Sequence, residues 1–285
     1  MLKHTKNIFD KRRLVIATKH QKEKVILPLL EKRMGVSCFI PDDFDSDQFG
    51  TFSGEIERNS DPLNTVRSKC LKAMKLADCD LGIASEGSFG PHPALFFIPA
   101  DDEILMLIDK KNNLEIVVRE ISTDTNFNSQ FIENKIRLRE FAEKIKFPSH
   151  GLIAKKSQND FTDIEKGIMT WDRLFNVFDY FSTKYNSFYL ETDMRAMYNP
   201  TRMKVIEKAA IKLTEKINCL CPKCQAPGFG VTNYKKGLPC ETCKFPTNST
   251  LSFIHKCQKC NYKIEQKYPH GKKSEDPMFC DRCNP

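Results

Sequence analysis

The sequence predicts a mixed-sheet α/β domain followed by a small zinc-ribbon-like module. Short β-branched runs alternate with amphipathic helical segments through most of the chain, which is typical of an α/β fold. Four Cys-x-x-Cys pairs follow, crowded into the last part of the chain. We therefore predict an α/β domain over residues 1–217 and a cysteine module over residues 218–285.

The composition is that of a globular protein with a hydrophobic core. Of the 285 residues, 40% are hydrophobic, and no apolar run approaches the roughly 18 residues that a membrane span requires. The amino-terminal residues are charged and do not resemble a secretion signal. Twelve cysteines are then better explained by metal binding than by disulfides, because cytosolic thiols stay reduced. We expect a cytoplasmic protein that does not bind membranes.

The positive charge is concentrated in the cysteine module. The formal net charge is +8, and residues 218–285 contain eleven Lys or Arg against five Asp or Glu. Eight thiolates and two Zn²⁺ ions would lower the net charge of the whole chain to about +4. The charge therefore gives only weak support to nucleic-acid binding.

The first strand and helix form a candidate phosphate-binding turn. Residues 13–17 are a β-branched run, and a helix is expected from about residue 20 to residue 34. The turn between them offers polar and positively charged side chains beside a helix N-terminus, where unpaired amides attract anions. Its candidate ligands are Thr18, His20, Lys22 and Lys24. A solvated, lysine-rich first turn is the alternative.

A pair of glutamates follows the second strand, which is expected at residues 36–40. Side chains alternate along residues 51–58, so Glu55 and Glu57 would share one face of a short strand. Two carboxylates on one face repel each other unless a cation lies between them, and Mg²⁺ prefers one or two carboxylates plus water and phosphate. A magnesium site is one interpretation, and solvent-facing glutamates on an edge strand are the other.

A strand that ends in small residues marks the expected floor of an active site. Asp61 caps a helix that ends near residue 77, and a buried strand follows at residues 81–84. The next residues include Ser85, Glu86 and two glycines, which would let the backbone approach a ligand closely. The alternative is a tight loop with one exposed glutamate.

The rest of the α/β domain adds further strands and helices. Arg202 begins the last helix, where it either binds phosphate through charge-assisted hydrogen bonds or forms a surface salt bridge. Strands are expected at residues 94–98, 103–108 and 114–121, helices at 129–146, at the end of 167–181 and at 200–217, and irregular segments at 155–163 and 189–199.

The cysteine pairs give the strongest signal in the sequence. Fifteen residues separate the first two pairs and nineteen the last two, within the spacing of about 15–20 residues that four-cysteine zinc sites show. Each Cys-x-x-Cys turn aims two thiolates at one metal, so two turns complete a closed, structural site. Sequential pairing is the simpler arrangement, and interleaved pairing stays open. The predicted ligands of two structural Zn²⁺ ions are Cys221, Cys224, Cys240, Cys243, Cys257, Cys260, Cys280 and Cys283.

Several motifs resemble those of an uncharacterised bacterial family that joins an amino-terminal α/β domain to a cysteine tail. The motifs are Ala-Thr-Lys-His at residues 17–20, Phe-Gly-Thr-Phe-Ser-Gly-Glu at 49–55, Gly-Ile-Ala-Ser-Glu-Gly-Ser-Phe-Gly-Pro-His-Pro at 82–93, and a final Cys-x-x-Cys-Asn-Pro. This resemblance spans nearly the full length of the chain. In the order of its motifs, the α/β domain is also similar to the inosine triphosphate pyrophosphatase superfamily, which includes Maf-type proteins.

The similarity to the pyrophosphatase superfamily implies both a fold and a reaction. It rests on residues 17–20, 55–58, 66–70 and 82–87, with looser matches at 146–151 and 200–202. It implies a nucleotide-binding domain that hydrolyses a nucleoside triphosphate to the monophosphate and pyrophosphate with Mg²⁺. The implied catalytic carboxylates are Glu55, Glu57 and Glu86, and the implied substrate-binding residues are Thr18, His20, Lys22, Lys24, Ser85, His150 and Arg202.

A zinc-binding protein without catalytic activity is the alternative function. The cysteine module interleaves lysines with Tyr234, Phe245, Tyr262 and Tyr268, a pattern suited to base stacking and phosphate contact. Its partner would be a nucleic acid or another protein. A third interpretation is that the zinc sites only stabilise the domain or a dimer, because small zinc modules often exist to fold.

Overall fold

The protein divides into two compact units, Asn7–Thr214 and Glu215–Pro285. A computed structural model describes residues 8–45 and 61–285. The larger unit contains both helices and a mixed sheet, and the smaller unit holds the cysteine pairs. The predicted mixed α/β class and the cysteine-rich carboxyl-terminal part are therefore confirmed.

A five-stranded mixed sheet forms the centre of the larger unit. Its strands are β1 Arg13–Ala17, β2 Ser37–Phe39, β3 Leu81–Pro91, β4 Pro99–Asp109 and β5 Leu114–Ser122. They run in the order β2-β1-β3-β4-β5, with β1 parallel to both of its neighbours and the remaining pairs antiparallel. The parallel strands β1 and β3 are continuously apolar and buried where they pair, as expected for strands covered on both faces.

The described residues contain five α-helices. They are α1 Glu23–Met34, α2 Pro62–Leu76, α3 Lys135–Lys144, α4 Trp171–Lys184 and α5 Pro200–Asn218. No helix among the described residues is both long enough and apolar enough to span a membrane.

Helix α2 covers one face of the mixed sheet. The Asp61 carboxylate caps this helix by accepting hydrogen bonds of 3.0 Å from two backbone N–H groups of the first turn. Its apolar stripe then packs on side chains of β1, β3 and β4 that point to the same face. The residues in contact are Val66, Cys70, Ala73 and Met74 of α2 with Val15, Ala17, Ala84, Met106 and Ile108 of the sheet.

Helices α1 and α5 cover the opposite face. Arg202 of α5 forms an ion pair with Glu103 of β4, and side chains alternate along a strand, so Glu103 points away from the face that carries Met106. Arg33 of α1 donates a 2.9 Å hydrogen bond to the hydroxyl group of Thr214 in α5, which joins the two helices. The helices that connect the parallel strands, α1 and α2, therefore lie on opposite sides of the sheet.

A second sheet in the larger unit is antiparallel throughout. Its strands are β6 Ser129–Ile132, β7 Leu152–Ser157, β8 Asp160–Ile168 and β9 Phe188–Thr192, in the order β6-β9-β7-β8. Helices α3 and α4 pack on it through a core rich in phenylalanine, in which each fully buried side chain contributes roughly 1.5–3 kcal/mol. Trp171 packs against this core.

Strand β3 is longer than the sequence predicts. The sequence predicts a loop after residue 84, but the chain stays extended because β4 pairs with it as far as Pro91, which lies opposite Pro99. The strand predicted at residues 94–98 is wrong, because these residues connect β3 to β4. Pairing with β4 therefore determines the conformation of residues 85–91 more than their local composition does.

Three other segments of the larger unit differ from prediction. Residues 129–132 are a strand and not the start of a helix, and residues 155–163 and 189–199 contain parts of β7, β8 and β9. All three lie in the second sheet, where the partly exposed strands lack a clear alternation of apolar and polar residues. The strand predicted at residues 51–58 lies outside the described part of the chain.

The smaller unit is organised around a three-stranded antiparallel sheet. The strands are β10 Gly230–Lys236, β11 Thr250–Lys256 and β12 Lys263–Lys267, in that order across the sheet. A Cys-x-x-Cys turn lies before β10, between each pair of strands and after β12. One small buried cluster contains Cys221, Ala226 and Cys257, so hydrophobic burial alone gives this unit little stability.

Candidate functional site

The eight paired cysteines form two groups with the dimensions of zinc tetrahedra. Within each group the sulfur atoms lie within 4.8 Å of one another, and the closest Sγ–Sγ distances between turns are 3.6–3.9 Å. A tetrahedron with Zn–S bonds of about 2.3 Å has edges of about 3.8 Å. Each group could therefore hold one metal ion. The groups are Cys221, Cys224, Cys257 and Cys260, and Cys240, Cys243, Cys280 and Cys283.

The pairing of the turns is interleaved, so the simpler sequential pairing is wrong. The first turn joins the third, and the second joins the fourth. The reason lies in the sheet, because strands of an antiparallel meander alternate in direction and successive connections alternate between its two ends. Turns one and three therefore meet at one end, and turns two and four meet at the other.

Each cysteine turn has the same backbone geometry. The N–H group of the residue after the second cysteine donates to the carbonyl group of the first cysteine, at 2.8–3.1 Å in all four turns. In the first three turns that residue has a positive φ of 58–61°. A hydrogen bond from the backbone of Phe245 is the main cause that lowers the pKa of Cys243 to about 7, which favours the metal-binding thiolate. With four thiolates each, these are closed sites of the structural kind.

A second candidate site lies in the larger unit, where charged side chains are buried together. We name it the buried charge cluster and define it as Lys22, Ser85, Asp101, Glu103 and Arg202, each of which is buried. Lys22 precedes α1, Ser85 lies on β3, the two carboxylates lie on β4, and Arg202 lies in the first turn of α5. Four separate elements thus bring these side chains to the face of the sheet that α1 and α5 cover.

Two hydrogen-bonded pairs hold the buried charge cluster together. The Lys22 Nζ atom donates to the Ser85 Oγ atom at 3.0 Å. The Arg202 Nε atom donates to the Glu103 Oε1 atom at 2.6 Å, and its Nη1 atom donates to the carbonyl oxygen of Met194 at 2.5 Å. Ionic hydrogen bonds of this length are stronger than neutral ones, so Arg202 is fixed in place.

Gly87 makes room for the pair of Arg202 and Glu103. It lies directly opposite Glu103 on the neighbouring strand. A Cβ atom at this position would overlap the Glu103 Oε1 atom and would lie 2.5 Å from the Arg202 Nη2 atom. Only glycine leaves space for both side chains above the sheet.

The carboxylates of the buried charge cluster are only partly satisfied. Asp101 is 1% exposed and Glu103 is 0% exposed. Three carboxylate oxygens have no hydrogen-bond partner among the described residues. They are both oxygens of Asp101 and the Oε2 atom of Glu103. Leaving a buried polar group unsatisfied costs about 1–3 kcal/mol, and more when the group is charged. A cation or another ligand bound here would remove this cost.

Burial also shifts the pKa values of two groups in the cluster. Burial, with a further contribution from the Glu103 carboxylate, raises the pKa of Asp101 to about 8. Burial, with a further contribution from the Arg202 guanidinium, lowers the pKa of Lys22 to about 8. Perturbed groups of this kind concentrate at functional sites, because catalysis and ligand binding need them.

The cluster lies where open α/β sheets bind ligands. The last pair between β1 and β3 joins Ala17 to Ala84, so Ser85 is the first β3 residue beyond the end of β1. Helix α1 follows the carboxyl end of β1 and lies on the face of the cluster, whereas α2 lies on the other face. In open α/β sheets, ligands bind beyond the carboxyl ends of parallel strands, where the connecting helices change sides.

The structure brings three of the predicted substrate-binding residues together, namely Lys22, Ser85 and Arg202. Because Lys22 is buried, the alternative of a solvated lysine applies only to Lys24, which is exposed and bonds to its neighbour Gln21. The remaining predicted residues of this turn lie nearby in sequence. Thr18 is buried with its hydroxyl group donating to the carbonyl group of Lys19, and His20 has a positive φ of 67°.

His150 supports the backbone beside Arg202. Its Nε2 atom accepts from the backbone N–H group of Thr201 at 3.4 Å and lies 2.9 Å from the Thr201 hydroxyl group. Asn199 accepts a 2.9 Å hydrogen bond from the Arg202 backbone N–H group, which caps α5. Burial is the main cause that lowers the pKa of His150, so its neutral form is favoured. His150 therefore positions the start of α5.

Glu86 points to the other face of the sheet. It is buried and accepts a 2.5 Å hydrogen bond from the Lys69 Nζ atom of α2. The sheet therefore separates its carboxylate from the side chains of Ser85 and Glu103. Glu55 and Glu57, which the sequence groups with Glu86, lie outside the described residues.

Sequence reasoning missed Asp101 and Glu103 as members of the site, and it gave Gly87 a different role, close approach of the backbone to a ligand. Two acids at alternate positions of an otherwise apolar strand were the available signal, because alternate residues share one face. Their importance depends on the pairing of β4 with β3 and on the position of Arg202, which the sequence pattern does not reveal.

The chain belongs to the family described as Domain of unknown function (DUF6671), whose model matches residues 69–285. The match begins within α2. It includes both carboxylates of the buried charge cluster, Arg202 and all eight clustered cysteines, whereas Lys22 precedes it. The family description assigns no activity. No curated protein matches the chain.

Proposed function

We propose that the larger unit binds a phosphorylated small molecule at the buried charge cluster and hydrolyses it with the help of Mg²⁺. Because the family description assigns no activity, this proposal rests on the geometry of the site. The observation that carries it is the burial of two cations and two incompletely satisfied carboxylates together, beyond the carboxyl end of β1.

The cations fit the phosphate groups of a substrate. Arg202 is held by Glu103 and Met194, and Lys22 reaches the same face from the turn before α1. Lysine and arginine neutralise the charge that phosphoryl transfer spreads over phosphate oxygens. The backbone N–H groups at the start of α1 would add further donors.

The carboxylates fit a divalent cation. Asp101 and Glu103 lie two residues apart on one face of β4, and Mg²⁺ is usually held by one or two carboxylates together with water and substrate phosphates. A bound Mg²⁺ would polarise a phosphoryl oxygen and neutralise negative charge there. In this proposal Asp101 and Glu103 take the role that the sequence gives to Glu55, Glu57 and Glu86.

The specific reaction is hydrolysis of a nucleoside triphosphate. Water adds to the α-phosphorus, the bond from that phosphorus to the bridging oxygen breaks, and pyrophosphate leaves. The choice of a nucleotide over another phosphate ester rests on the similarity of residues 17–20 and 82–87 to the inosine triphosphate pyrophosphatase superfamily. In this proposal the clustered cysteines hold two structural Zn²⁺ ions, because four thiolates at tetrahedral distances are typical zinc ligands.

A purely structural role for the cluster explains less. The pair of Arg202 and Glu103 would serve as an internal ion pair, and such pairs occur in proteins without a functional role. That role does not account for Asp101, which is buried and has no hydrogen-bond partner among the described residues. A ligand that contacts Asp101 gives this carboxylate a function.

The test is release of pyrophosphate and phosphate from a panel of nucleoside triphosphates, with Mg²⁺ or Mn²⁺, on metal-loaded full-length protein. We expect pyrophosphate release that Asp101→Asn lowers by at least about 100-fold, because loss of a metal ligand typically costs several kcal/mol of transition-state stabilisation. No release of pyrophosphate or phosphate from any nucleotide of the panel would refute the proposed hydrolase activity.

The matched control is Asp102→Asn. Asp102 lies between the two cluster carboxylates in sequence, but it points to the opposite face and pairs with Arg119. We expect this variant to keep its activity. Binding of Mn²⁺, measured by electron paramagnetic resonance, provides a second readout, because it should be lost in Asp101→Asn and kept in Asp102→Asn.

A further inference from the structure

Two phenylalanine rings lie beside the buried charge cluster. Phe89 lies directly opposite Asp101 on the neighbouring strand, so both side chains point to the face of the sheet that carries Glu103. The ring of Phe127, from the segment between β5 and β6, has its centre 5.6 Å from that of Phe89, and the two ring planes are tilted by 30°. We name Phe89 and Phe127 the aromatic pair.

The aromatic pair contacts the cation that the proposed function assigns to phosphate. The Arg202 guanidinium lies 5.1 Å from the centre of the Phe89 ring, within the distance of a cation–π interaction. Asp101, whose carboxylate has no hydrogen-bond partner among the described residues, lies opposite the same phenylalanine. A ligand whose phosphates reach the buried charge cluster therefore has the aromatic pair beside it.

The Phe127 side chain is exposed although its backbone is held on both sides. Phe127 is 39% exposed. The Asn126 side chain accepts a 2.8 Å hydrogen bond from that of Asn199, which caps α5. The Asn128 backbone donates to the Thr192 hydroxyl group at 3.2 Å and accepts from the Thr192 N–H group at 3.0 Å. These contacts fix an apolar ring at the surface, where burial against a ligand would be favourable.

The combination of rings and cations fits a nucleotide. A nucleobase has a π face that stacks on aromatic side chains, and the phosphates of a nucleotide need cations. The aromatic pair and Arg202 offer these two kinds of contact side by side. An inorganic polyphosphate would use the cations and leave the Phe127 ring exposed.

We propose that the aromatic pair is the platform on which the base of the substrate nucleotide stacks, with Phe127 supplying the exposed ring. This inference rests on the proposed function, because it requires the phosphates to bind at the buried charge cluster. Aromatic side chains stack on every kind of base, so the pair would distinguish nucleotides from phosphates without a ring and would not select one base.

The experiment is isothermal titration calorimetry of zinc-loaded full-length protein with two ligands in the presence of Mg²⁺. One ligand is a nucleoside triphosphate in which a methylene group replaces the oxygen between the α- and β-phosphorus atoms, so that it binds without releasing pyrophosphate. The other is inorganic tripolyphosphate, which has three phosphates and no base. We expect Phe127→Ala to weaken nucleotide binding by about tenfold, within the range measured for lost base stacking, and to leave tripolyphosphate binding unchanged.

Two further variants are the matched controls. Phe127→Tyr keeps the ring and should bind both ligands like the unchanged protein. Phe131→Ala removes another exposed ring, which packs edge-on against Tyr189 in the second sheet, and it should leave the binding of both ligands unchanged. Thermal unfolding verifies that each variant is folded.

The two ligands separate failure of the platform from failure of the proposed function. If Phe127→Ala leaves nucleotide binding unchanged, or weakens the binding of both ligands equally, the platform is overturned, whereas tripolyphosphate binding would still support a phosphate site. If neither ligand binds, the platform and the phosphate site are overturned together. A selective loss of nucleotide binding in Phe127→Ala would support the platform even if no nucleotide of the panel released pyrophosphate.

Discussion

The two units of this protein use buried charge in opposite ways. In the smaller unit eight thiolates form two closed metal-binding groups, and only three residues form its buried hydrophobic cluster. The larger unit contains two extensive apolar cores, and on the face of its five-stranded sheet away from α2 it buries a group of charged side chains that is only partly satisfied among the described residues. We therefore expect the smaller unit to depend on bound metal for its stability, whereas the larger unit has apolar cores and buries charged groups that are only partly satisfied among the described residues.

This difference indicates which unit is the better candidate for catalytic activity. A closed four-cysteine group has no open position for a substrate, so it holds a structure together. An unsatisfied buried carboxylate inside a well-packed domain needs an explanation, and a bound ligand is the explanation that we propose for Asp101. The strongest sequence signal and the best candidate for catalysis therefore lie in different units.

Metal removal should produce the largest difference in stability between the two units. Each structural zinc contributes about 10–16 kcal/mol of apparent binding free energy at neutral pH, so chelation should unfold residues 215–285. The larger unit should keep its structure, because both four-cysteine groups found among the described residues lie in the smaller unit and the larger unit has apolar cores of its own. Hydrogen exchange measured by mass spectrometry would show fast exchange in the smaller unit only. Simultaneous loss of protection in α4 or β7 would contradict this distinction.

Paired cysteine substitutions test the interleaving itself. Cys224→Ser with Cys257→Ser removes two ligands from one group, so the variant should retain about one zinc per chain. Cys224→Ser with Cys240→Ser damages both groups and should retain none. Sequential pairing would reverse the two results. Metal content by mass spectrometry distinguishes the two arrangements.

Arg202→Met should cause the next largest effect, this time in the larger unit. The substitution leaves Glu103 buried without its ion-pair partner, and breaking a buried pair typically costs about 3–5 kcal/mol. Arg119→Met is the control, because Arg119 is 52% exposed and its pair with Asp102 is worth about 1 kcal/mol or less. Urea unfolding of both variants measures the difference, and equal losses would show that burial does not matter here.

Gly87→Ala should destabilise the larger unit by about 1–3 kcal/mol, because the added methyl group overlaps Glu103 and Arg202. Gly90 lies three residues further along β3, and no atom lies within 4 Å of a Cβ built there. Gly90→Ala should therefore be close to neutral. Thermal unfolding of the two variants compares the sites, and a neutral Gly87→Ala would mean that the ion pair moves without cost.

Asp101→Asn should have an effect of the opposite sign that depends on pH. With a pKa of about 8 when folded and about 3.9 when unfolded, Asp101 stabilises the folded state by holding its proton. That stability is complete below about pH 4 and is lost as the pH rises to about 8. The groups that act on Asp101 are Glu103, Arg202, Lys22 and Asp102.

The amide of the Asn variant does not titrate, so the variant should be more stable than the unchanged protein near pH 8. The expected gain is about 1–3 kcal/mol, and it should vanish toward pH 4. Urea titrations across this range without added Mg²⁺ measure it. A variant that is less stable at every pH would show that Asp101 supports the fold.

Local signals account for what the sequence predicts correctly. The cysteine ligands were predictable because each Cys-x-x-Cys turn is a local structure, and the cap at Asp61 was predictable for the same reason. Pairing between the turns was not, since it depends on the direction of strands that the spacing does not reveal. Lys22 and Arg202 were predicted as separate phosphate ligands, but their convergence on Glu103 and Asp101 follows only from the order of the strands.

The interleaved cysteine groups have a consequence for the order of folding. The sulfur contacts between turns join residues 33 and 37 positions apart, and each enclosed loop contains a turn of the other group. Two turns can hold one ion fully only after the strands between them have paired, because pairing brings the turns to the same end of the sheet. Doubling the length of a closed loop adds only about 0.6 kcal/mol, so the longer loops are a small obstacle. Complete coordination of the metal is therefore a late step, and a spectroscopic probe bound to the thiolates would report the moment at which the sheet is assembled.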